Sequence, residues 1–268
     1  MDLSNSPIIE RGKTTIIIPV LNESGNVKEL LDELNSLRSE KYFSKISEII
    51  FVDDGSTDGT QEIIKQYSKQ TSIIPSKILE RTVKYGTVNA QLFGITNAKS
   101  EAVIVMDGDL QHPVKYIPLL IEKYLEGYDL VLASRYVKNG VAERTAIHGI
   151  VSRGANMLAK FILPWVAYIR DPISGYFIVN KRIINSNDNT KGFSKLALSI
   201  LSTGKKISVT EIPFHFKERR RGESKVATGG TSYLLKYFME LLYYRRVYKL
   251  NRLKKVVSGP IPDFHTYK

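Results

Sequence analysis

A short apolar run that ends in two carboxylates constrains the fold of this chain more than any other feature. Residues Ala102–Met106 are apolar and rich in β-branched side chains, which is typical of a buried strand, and Asp107-Gly108-Asp109 follows at once. Two carboxylates at the end of a buried strand repel each other, so a cation between them is favourable. Oxygen ligands of this kind suit Mg²⁺ or Mn²⁺, and Gln111 and His112 are further polar candidates for the same site. An Asx-rich turn that closes the strand is the alternative interpretation.

Strands and helices alternate along the first half of the chain. Strands are predicted at Thr14–Val20, Glu48–Val52, Ile78–Leu79, Ala102–Met106 and Leu130–Ser134. Helical spacing of apolar residues separates them, at Val27–Leu37, through Ile63, Ile64 and Tyr67, at Lys84–Ala98 and from Val114 to Glu126. This alternation predicts an α/β fold with a doubly wound, mostly parallel sheet flanked by helices.

Polar residues follow four of the predicted strands at the point where each strand ends. They are Asn22-Glu23, Asp53-Asp54, Asp107-Gly108-Asp109 and Arg135. Parallel strands present their carboxyl ends at one edge of a sheet, where ligands of such folds bind, so we expect one shared site. A single acidic strand end would be ordinary turn chemistry, whereas four polar strand ends on one edge indicate a functional site.

Sequence motifs of several other enzyme classes are absent. No glycine-rich dinucleotide loop or Walker-type phosphate loop follows the first strand. The Gly-any-Ser-any-Gly and His-Glu-any-any-His motifs of hydrolases are also missing. The chain contains no cysteine, which excludes disulfide bonds, thiolate metal sites and a cysteine nucleophile.

Positive charge is concentrated at the carboxyl end of the chain. The formal net charge is +12, and residues 215–268 contain 13 Lys and Arg against 4 Asp and Glu. Such a region suits nucleic acid, an anionic membrane surface or a phosphorylated ligand, and a solvated basic face is the alternative. Within it, the basic loop Glu218–Lys225 can wrap a phosphate with backbone N–H groups and cationic side chains.

The last predicted helix, Tyr233–Leu250, has mixed apolar, aromatic and basic character. One side is predicted to carry Leu234, Tyr237, Phe238, Leu241 and Tyr248. This composition is typical of a helix in a membrane interface, and packing on the domain or on a partner subunit is the alternative. No apolar run approaches the ~20 residues that span a bilayer, so we expect no transmembrane segment. The expected organisation is a main α/β domain at 1–228 and an amphipathic helix with a basic tail at 229–268.

Seven segments together resemble the family 2 glycosyltransferases of the GT-A fold. They are Ile17–Glu23, Val52–Thr60, Met106–Pro113, Ser134–Tyr136, Ser152–Asn156, Asp171–Tyr176 and Arg220–Lys225. The last three are similar to segments of the dolichol-phosphate mannose synthases, a group within the family whose acceptor is a polyprenyl phosphate. The resemblance implies a Rossmann-like, mostly parallel sheet flanked by helices, and it makes the domain at 1–228 the catalytic one.

The resemblance also implies roles for individual residues. The nucleotide sugar would be bound by Pro19, Asn22, Glu23, Asp53, Asp54, Lys84, Asp107 and Gly108. The metal would be held by Asp107, Asp109 and Gln111, and the acceptor phosphate by Arg135, Arg153 and Ser174. Catalysis would involve Asp109, Arg135, Arg219 and Lys225, and the basic loop would close over the donor.

By the same resemblance, the chain would transfer one mannosyl residue from GDP-mannose to dolichyl or another polyprenyl phosphate. The transfer would invert the anomeric centre and use Mg²⁺ or Mn²⁺. The protein would be cytoplasmic and peripheral on the cytoplasmic face of a membrane, held by its last helix or by a membrane-anchoring partner subunit. The Gln-any-any-Arg-Trp signature of processive relatives is missing, which favours a single transfer. Two features of relatives are also absent: a glycine-rich segment, here Lys84–Asn89, and the transmembrane pair of some microbial members.

Two alternative functions stay open at the level of sequence. A polyprenyl-phosphate glucosyltransferase that uses UDP-glucose would carry the same motifs, because side-chain details select the base and the sugar. A basic nucleic-acid-binding module would explain the net charge, but it leaves the four polar strand ends unexplained. We therefore expect no nucleic-acid partner.

Overall fold

A seven-stranded sheet forms the centre of the molecule. The computed structural model describes residues 10–70, 73–81, 86–142, 146–184, 195–217 and 230–257. The strands of the sheet are β1 (Glu10–Val20), β2 (Ile46–Asp53), β3 (Ser76–Glu80), β4 (Ser100–Val105), β5 (Leu130–Ser134), β7 (Phe177–Asn180) and β8 (Val209–Pro213). Two short strands, β6 (Val141–Ala142) and β9 (His215–Phe216), pair with each other in parallel beside it.

The strand order in the sheet is β3-β2-β1-β4-β7-β5-β8, and all neighbouring strands are parallel except at β7. Strand β7 lies between β4 and β5 and is antiparallel to both. Two successive antiparallel pairings return β5 to the direction of β4, so the carboxyl ends of β1, β2, β4 and β5 lie at one edge. The predicted mostly parallel sheet with its shared edge is confirmed.

Helices cover both faces of the sheet. The helices are α1 (Ser24–Ser36), α2 (Thr60–Gln70), α3 (Thr87–Asn97), α4 (Ile117–Leu125), α5 (Ala146–Ile162), α6 (Leu196–Leu201) and α7 (Gly230–Val257). On one face, apolar side chains of α1, α2 and α4 pack with Ile16 and Ile18 of β1. On the other, side chains of α3, α5, α6 and α7 pack with Ile17. Burial on both faces explains why β1 is a continuous apolar run rather than an alternating one.

The strand that follows α6 along the chain is divided into two parts, β8 and β9. The division falls at Phe214, whose side chain is buried in the core and whose backbone N–H donates to the Ser134 carbonyl at 3.2 Å. At this point the chain leaves β8, beside the end of β5. It then continues along the edge of the sheet where the polar strand ends meet.

The predicted face of the last helix is wrong in part. Tyr237 and Leu241 are buried in the core, but Leu234 and Phe238, predicted on the same side, are exposed. Because the helix is apolar around most of its circumference, its sequence pattern does not define one face. Tyr237 and Tyr244 face the domain, and the Tyr237 hydroxyl donates to the Ala155 carbonyl of α5 at 3.1 Å. Within the described residues, no helix is both long enough and apolar enough to span a bilayer.

Replacing Gly94 with alanine is expected to destabilise the fold by about 1–3 kcal/mol, because helix α3 lies closely against the sheet there. A Cβ at this position would lie 2.6 Å from Ile17 Cγ2 and 2.9 Å from Val52 Cγ2. Gly149→Ala in α5 is the matched control, since a Cβ there meets no atom within 4 Å. Helix propensity alone should make that control about 0.5–1 kcal/mol more stable. Urea unfolding measures both, and equal midpoints for the two variants would contradict the close packing of α3.

Candidate active site

The loops that follow β1 and β2 are joined by hydrogen bonds. The Asn22 backbone N–H donates to Ser56 Oγ, and the Thr57 backbone N–H donates to Asn22 Oδ1, both at 2.9 Å. Asn22 has a φ of 57°, a left-handed conformation that asparagine tolerates better than most residues. The neighbouring Glu23 carboxylate accepts a hydrogen bond from Asn26 Nδ2 at 2.7 Å. Asn22 and Glu23 therefore form part of an ordered rim, next to the end of β2.

The two acidic residues at the end of β2 have partners within the protein. Asp53 is fully buried, and its Oδ2 accepts hydrogen bonds from the backbone N–H groups of Gly55 and Ser56 and from Gln61 Nε2. Asp54 Oδ1 lies 2.7 Å from Arg81 Nε, and both side chains are about nine-tenths buried. Asp53 thus shapes the turn after β2 and Arg81 compensates the charge of Asp54, a partner that the sequence did not indicate.

Asp58 in the same loop gives a pH-dependent contribution to stability. Partial burial opposes ionisation, but hydrogen bonds from Thr60 and Ser24 outweigh it and lower the pKa of Asp58 to about 2. A pKa below the unfolded value means that its contribution is full above about pH 4 and is lost as the pH falls towards 2. Because this carboxylate is exposed, we expect Asp58→Asn to cost under about 1 kcal/mol at pH 6. The difference in urea midpoint between wild type and Asp58→Asn should become smaller as the pH is lowered from 6 to 3. A difference that becomes larger would contradict this role of Asp58.

The loop after β4 carries the predicted metal ligands and has a constrained backbone. Asp107 follows the strand with about a third of its side chain exposed, whereas Asp109 is buried and its Oδ1 accepts the Gln111 backbone N–H at 3.1 Å. Leu110, between Asp109 and Gln111, has a φ of 64°. This conformation is unusual for a branched, buried residue and is held by the surrounding structure. A Cβ on Gly108 would lie 3.1 Å from Val20 Cγ1 and 3.4 Å from the carbonyl oxygen of Pro19. The loop therefore lies directly against the end of β1.

Gln111 connects this loop to the residue that precedes the basic loop. Its Nε2 donates to the Lys217 carbonyl at 3.2 Å, and its own carbonyl accepts the Lys217 backbone N–H at 3.2 Å. With Nε2 engaged in this way, the amide oxygen of Gln111 is the atom left to act as a ligand. The predicted residues Arg219 and Lys225 follow Lys217 but lie outside the described residues, as does Lys84.

The donor set of Asp107, Asp109 and Gln111 fits a divalent cation that shares its coordination with a ligand. Among the described residues, no group of three or more His, Cys, Asp or Glu side chains could hold a metal by itself. Mg²⁺ typically uses one or two carboxylates and takes its other ligands from phosphates and water. Two carboxylates and an amide oxygen on one loop match that requirement, and they do not match a closed structural metal site.

His112 completes the loop after β4. It is buried, and its Nδ1 accepts the backbone N–H of Asp107 at 2.9 Å. Burial lowers the pKa of His112 by more than the nearby carboxylates of Asp107 and Asp109 raise it. The ring is therefore neutral at physiological pH, with its proton on Nε2.

Arg135, at the end of β5, is paired with an acidic residue that the sequence analysis did not single out. Its Nε and Nη2 donate to the two carboxylate oxygens of Asp171 at 2.7 and 2.8 Å, and its Nη1 donates to Ser152 Oγ at 3.3 Å. Burial of the guanidinium lowers its pKa, but the charge and hydrogen bonds of Asp171 outweigh this and raise the pKa of Arg135. Asp171 is itself held by Glu211, which accepts the Arg170 and Asp171 backbone N–H groups.

The other two predicted acceptor residues occupy different environments. Ser174 is buried, and its Oγ donates to the Ala133 carbonyl at 2.6 Å, so its hydroxyl is used within the protein. Arg153 is exposed on α5, one residue after the Ser152 that contacts Arg135. Of this group, Arg153 presents its charge to solvent, while Arg135 and Ser174 lie behind the surface.

The β4 and β5 ends meet through aromatic side chains and Gly175. The rings of His112 and Phe216 are 5.7 Å apart, and the Arg135 guanidinium lies over the same Phe216 ring at 5.6 Å. A Cβ on Gly175 would lie 3.4 Å from His112 Cε1 and 3.6 Å from Asp107 Oδ2. The structure thus brings the loop after β4, Arg135 and the 171–176 segment into one region, beside the joined loops of β1 and β2.

Comparisons with known proteins agree on one family. The Glycosyl transferase family 2 model matches residues 15–186. A dolichol-phosphate mannosyltransferase from Pyrococcus furiosus is 39% identical over 217 residues, which is 80% of this chain and 59% of that protein. The chain thus spans less than two thirds of that relative's length. Proteins of the same name from Mycosarcoma maydis and Saccharomyces cerevisiae are 32% and 31% identical, over 86% of this chain and 79% and 87% of theirs.

Solved structures support the fold. Glucosyl-3-phosphoglycerate synthase from Mycobacterium tuberculosis, in complex with Mn²⁺, UDP-glucose and phosphoglyceric acid, superimposes with a TM-score of 0.65 at 18% identity. The match covers 88% of this chain and 80% of that one. At this identity the likeness concerns the fold, which is of the GT-A type. The matched family model and the relatives above show that this chain belongs to glycosyl transferase family 2.

Proposed function

We propose that the chain transfers one mannosyl residue from GDP-mannose to dolichyl or another polyprenyl phosphate, with inversion. The observation that carries this proposal is its similarity, over most of its length, to proteins named dolichol-phosphate mannosyltransferase. The arrangement of the site supports it, because carboxylates, an amide and cations meet at one sheet edge where a nucleotide sugar and an anionic acceptor can be bound together.

The donor would lie across the ends of β1, β2 and β4. The loops containing Asn22, Asp53 and Asp54 would surround the base and ribose, while Asp107, Asp109 and Gln111 would hold the metal. When bound, a divalent cation would supply charge that neutralises the diphosphate as it leaves. Because Asp53 and Asp54 already have protein partners, their contribution would come through the shape of the loop as much as through direct contact.

The acceptor phosphate is an anion and needs no strong base to become a nucleophile. One of its oxygens attacks the anomeric carbon, the bond from that carbon to the diphosphate oxygen breaks, and the nucleoside diphosphate leaves with the electron pair. Attack from the face opposite the leaving group inverts the centre. The protein must mainly align the two substrates and stabilise negative charge. The exposed Arg153 and the basic loop would contact the acceptor phosphate, and Arg135 would act from behind through Ser152 and Asp171.

The acceptor's lipid chain would lie in a membrane, so the protein would need a surface that binds the membrane. Helices α5 and α7 present a protein surface of this kind. In α5, Ile150, Met157 and Phe161 are 71%, 71% and 83% exposed and recur along the side opposite the buried residues. In α7, Leu235, Phe238, Met239 and Leu242 are exposed, and Arg245, Arg246 and Lys249 follow on the same side. Both helices cover the same sheet face, so both stripes point away from it. An apolar patch continued by cations fits an anionic lipid surface.

Changing Met157 and Phe161 together to aspartate is expected to reduce binding to phosphatidylcholine–phosphatidylserine vesicles by at least about tenfold. Each side chain contributes about 1.5–3 kcal/mol when it is fully removed from water, and a tenfold loss of vesicle binding requires only part of that free energy. Leu125→Asp is the matched control, because Leu125 is also exposed and apolar but lies in α4 on the other sheet face. Vesicle flotation measures the bound fraction. Equal loss in the control, or none in the double variant, would contradict a lipid surface at α5.

A thermal-shift panel of nucleoside diphosphates tests the donor. A ligand that binds only the native state raises the midpoint by mass action. We expect GDP to raise it in the presence of Mn²⁺ or Mg²⁺ and the shift to disappear with chelator. A metal-dependent shift with UDP and none with GDP would favour a glucosyl donor. The absence of any nucleotide shift would contradict the proposed transfer.

A further inference from the structure

His112 is a buried polar residue of the loop after β4, and the proposed transfer leaves it without a role. Its ring stacks on Tyr176, with centroids 5.1 Å apart, and meets the rings of Phe214 and Phe216 edge-on. Tyr176 is in turn fixed by its hydroxyl, which donates to the Pro113 carbonyl at 3.1 Å. The imidazole is therefore held in one plane by rigid neighbours on three sides.

His112 is hydrogen-bonded to the backbone of Asp107. The ladder of the sheet ends just before this point, where the Met106 N–H donates to the Ile17 carbonyl at 3.2 Å. Asp107 has left the ladder, and its N–H donates to His112 Nδ1 at 2.9 Å. The imidazole thus replaces the missing strand partner, five residues further along the same loop.

The Asp107 carboxylate lies beside the imidazole. Its Oδ2 is 3.8 Å from His112 Nδ1. A Cβ on Gly175 would lie 3.6 Å from Oδ2 and 3.4 Å from the imidazole carbon Cε1, so both groups lie next to the same backbone position. The backbone position of Asp107 therefore determines where its carboxylate lies relative to the imidazole and Gly175.

We propose that His112 is a positioning residue: its Nδ1 fixes the backbone of Asp107 so that the carboxylate is held ready for the divalent cation. This rests on the proposed function, which places the cation at Asp107, Asp109 and Gln111. Residues that orient metal ligands from behind typically change metal affinity by about 10–100-fold when they are replaced.

A space-filling role is the competing explanation, and two substitutions separate it from positioning. His112→Phe keeps an aromatic ring in the cluster but removes the acceptor of the Asp107 N–H. His112→Asn reduces the volume but offers its Oδ1 in a position close to that of Nδ1. Positioning predicts that asparagine preserves metal binding better than phenylalanine, and space filling predicts the reverse order. Tyr176→Phe is the matched control, since it perturbs the same cluster without touching the hydrogen bond to Asp107.

Mn²⁺ affinity in the presence of GDP, measured by electron paramagnetic resonance, decides between these orders. We expect His112→Phe to weaken Mn²⁺ binding by about 10–100-fold. His112→Asn and Tyr176→Phe should stay within about threefold of wild type, because both keep an acceptor for the Asp107 backbone N–H. If wild type binds Mn²⁺ but His112→Asn binds it no more tightly than His112→Phe, the role assigned to His112 is wrong and the proposed function is unaffected. A wild-type chain that binds no Mn²⁺ with GDP contradicts the proposed function and this assignment together.

Discussion

Asp109→Asn is expected to reduce the proposed mannosyl transfer by at least about a hundredfold while leaving the fold intact, because it removes one negative charge from the proposed metal site. Asp109 is only 3% exposed, and its Oδ1 accepts the Gln111 backbone N–H. Asparagine has nearly the same volume and keeps that acceptor, so the loop should retain its shape. What the variant loses is the charge that would hold the proposed cation. Steady-state transfer and a urea unfolding curve, measured on the same preparation, separate the two effects.

Asp32→Asn is the control for Asp109→Asn. Asp32 is exposed on helix α1, away from the sheet edge, and the same substitution there should leave transfer within about twofold of wild type. Turnover of Asp109→Asn near that of the control would contradict the metal assignment. A large loss of stability in Asp109→Asn would show instead that the charge supports the fold.

Asp171→Ala is expected to have the largest effect on stability, a loss of about 3–5 kcal/mol in the free energy of unfolding. The substitution leaves the Arg135 guanidinium buried with no carboxylate beside it, and the side chains of this pair are 7% and 0% exposed. It also removes the acceptor of the Arg135 backbone N–H, which lies 3.2 Å from Asp171 Oδ2. The urea midpoint is the measurement, and a loss under about 1 kcal/mol would contradict a buried, compensated pair.

Two further variants sharpen this test. The double substitution Arg135→Met with Asp171→Leu removes both charges and should recover much of the stability, since apolar replacements of a buried pair are often neutral. Glu126→Ala breaks the exposed pair with Lys123 and should cost no more than about 0.5 kcal/mol. If Asp171→Ala and Glu126→Ala cost the same, burial does not determine the strength of the Arg135 pair.

The sheet and its functional edge could be predicted from the sequence because their signals are local. The run Leu130–Ser134 was predicted with the bounds that β5 has in the structure. The polar residues after β1, β2, β4 and β5 lie at one edge because parallel strands place them there. The insertion of β7 between β4 and β5 had no such signal, because pairing across the sheet depends on distant segments. Its antiparallel direction preserved the shared edge all the same.

The partners of the charged residues could not be read from the sequence. Arg135 and Asp171 are 36 residues apart, and they meet only because the 171–176 segment returns beside β5. The same is true of Asp54 and Arg81, on different strand ends. Sequence patterns identify residue types that favour a ligand, but a buried partner that already compensates the charge becomes visible only in the folded chain. The signal that the sequence offered for Asp171 was its position at the start of the 171–176 turn.

The last helix shows a different limit. Its residues are apolar or aromatic on nearly every side, so periodicity alone could not separate the face that packs on the domain from the face that is exposed. Tyr237 and Tyr244 are buried against the domain, which is the alternative that the sequence left open for this helix. The exposed stripe of α5 was not anticipated at all, because apolar residues at helical spacing are usually read as core.

Transfer of labelled sugar into a lipid-extractable product tests the central claim most directly. Purified protein is incubated with dolichyl phosphate and either GDP-[³H]mannose or UDP-[³H]glucose, with Mn²⁺, with Mg²⁺ or with chelator. We expect lipid-linked label from GDP-mannose alone, and we expect it to be lost with chelator and reduced at least about a hundredfold in Asp109→Asn. Label from UDP-glucose alone, or transfer from GDP-mannose that is unchanged by chelator and by Asp109→Asn, would contradict it.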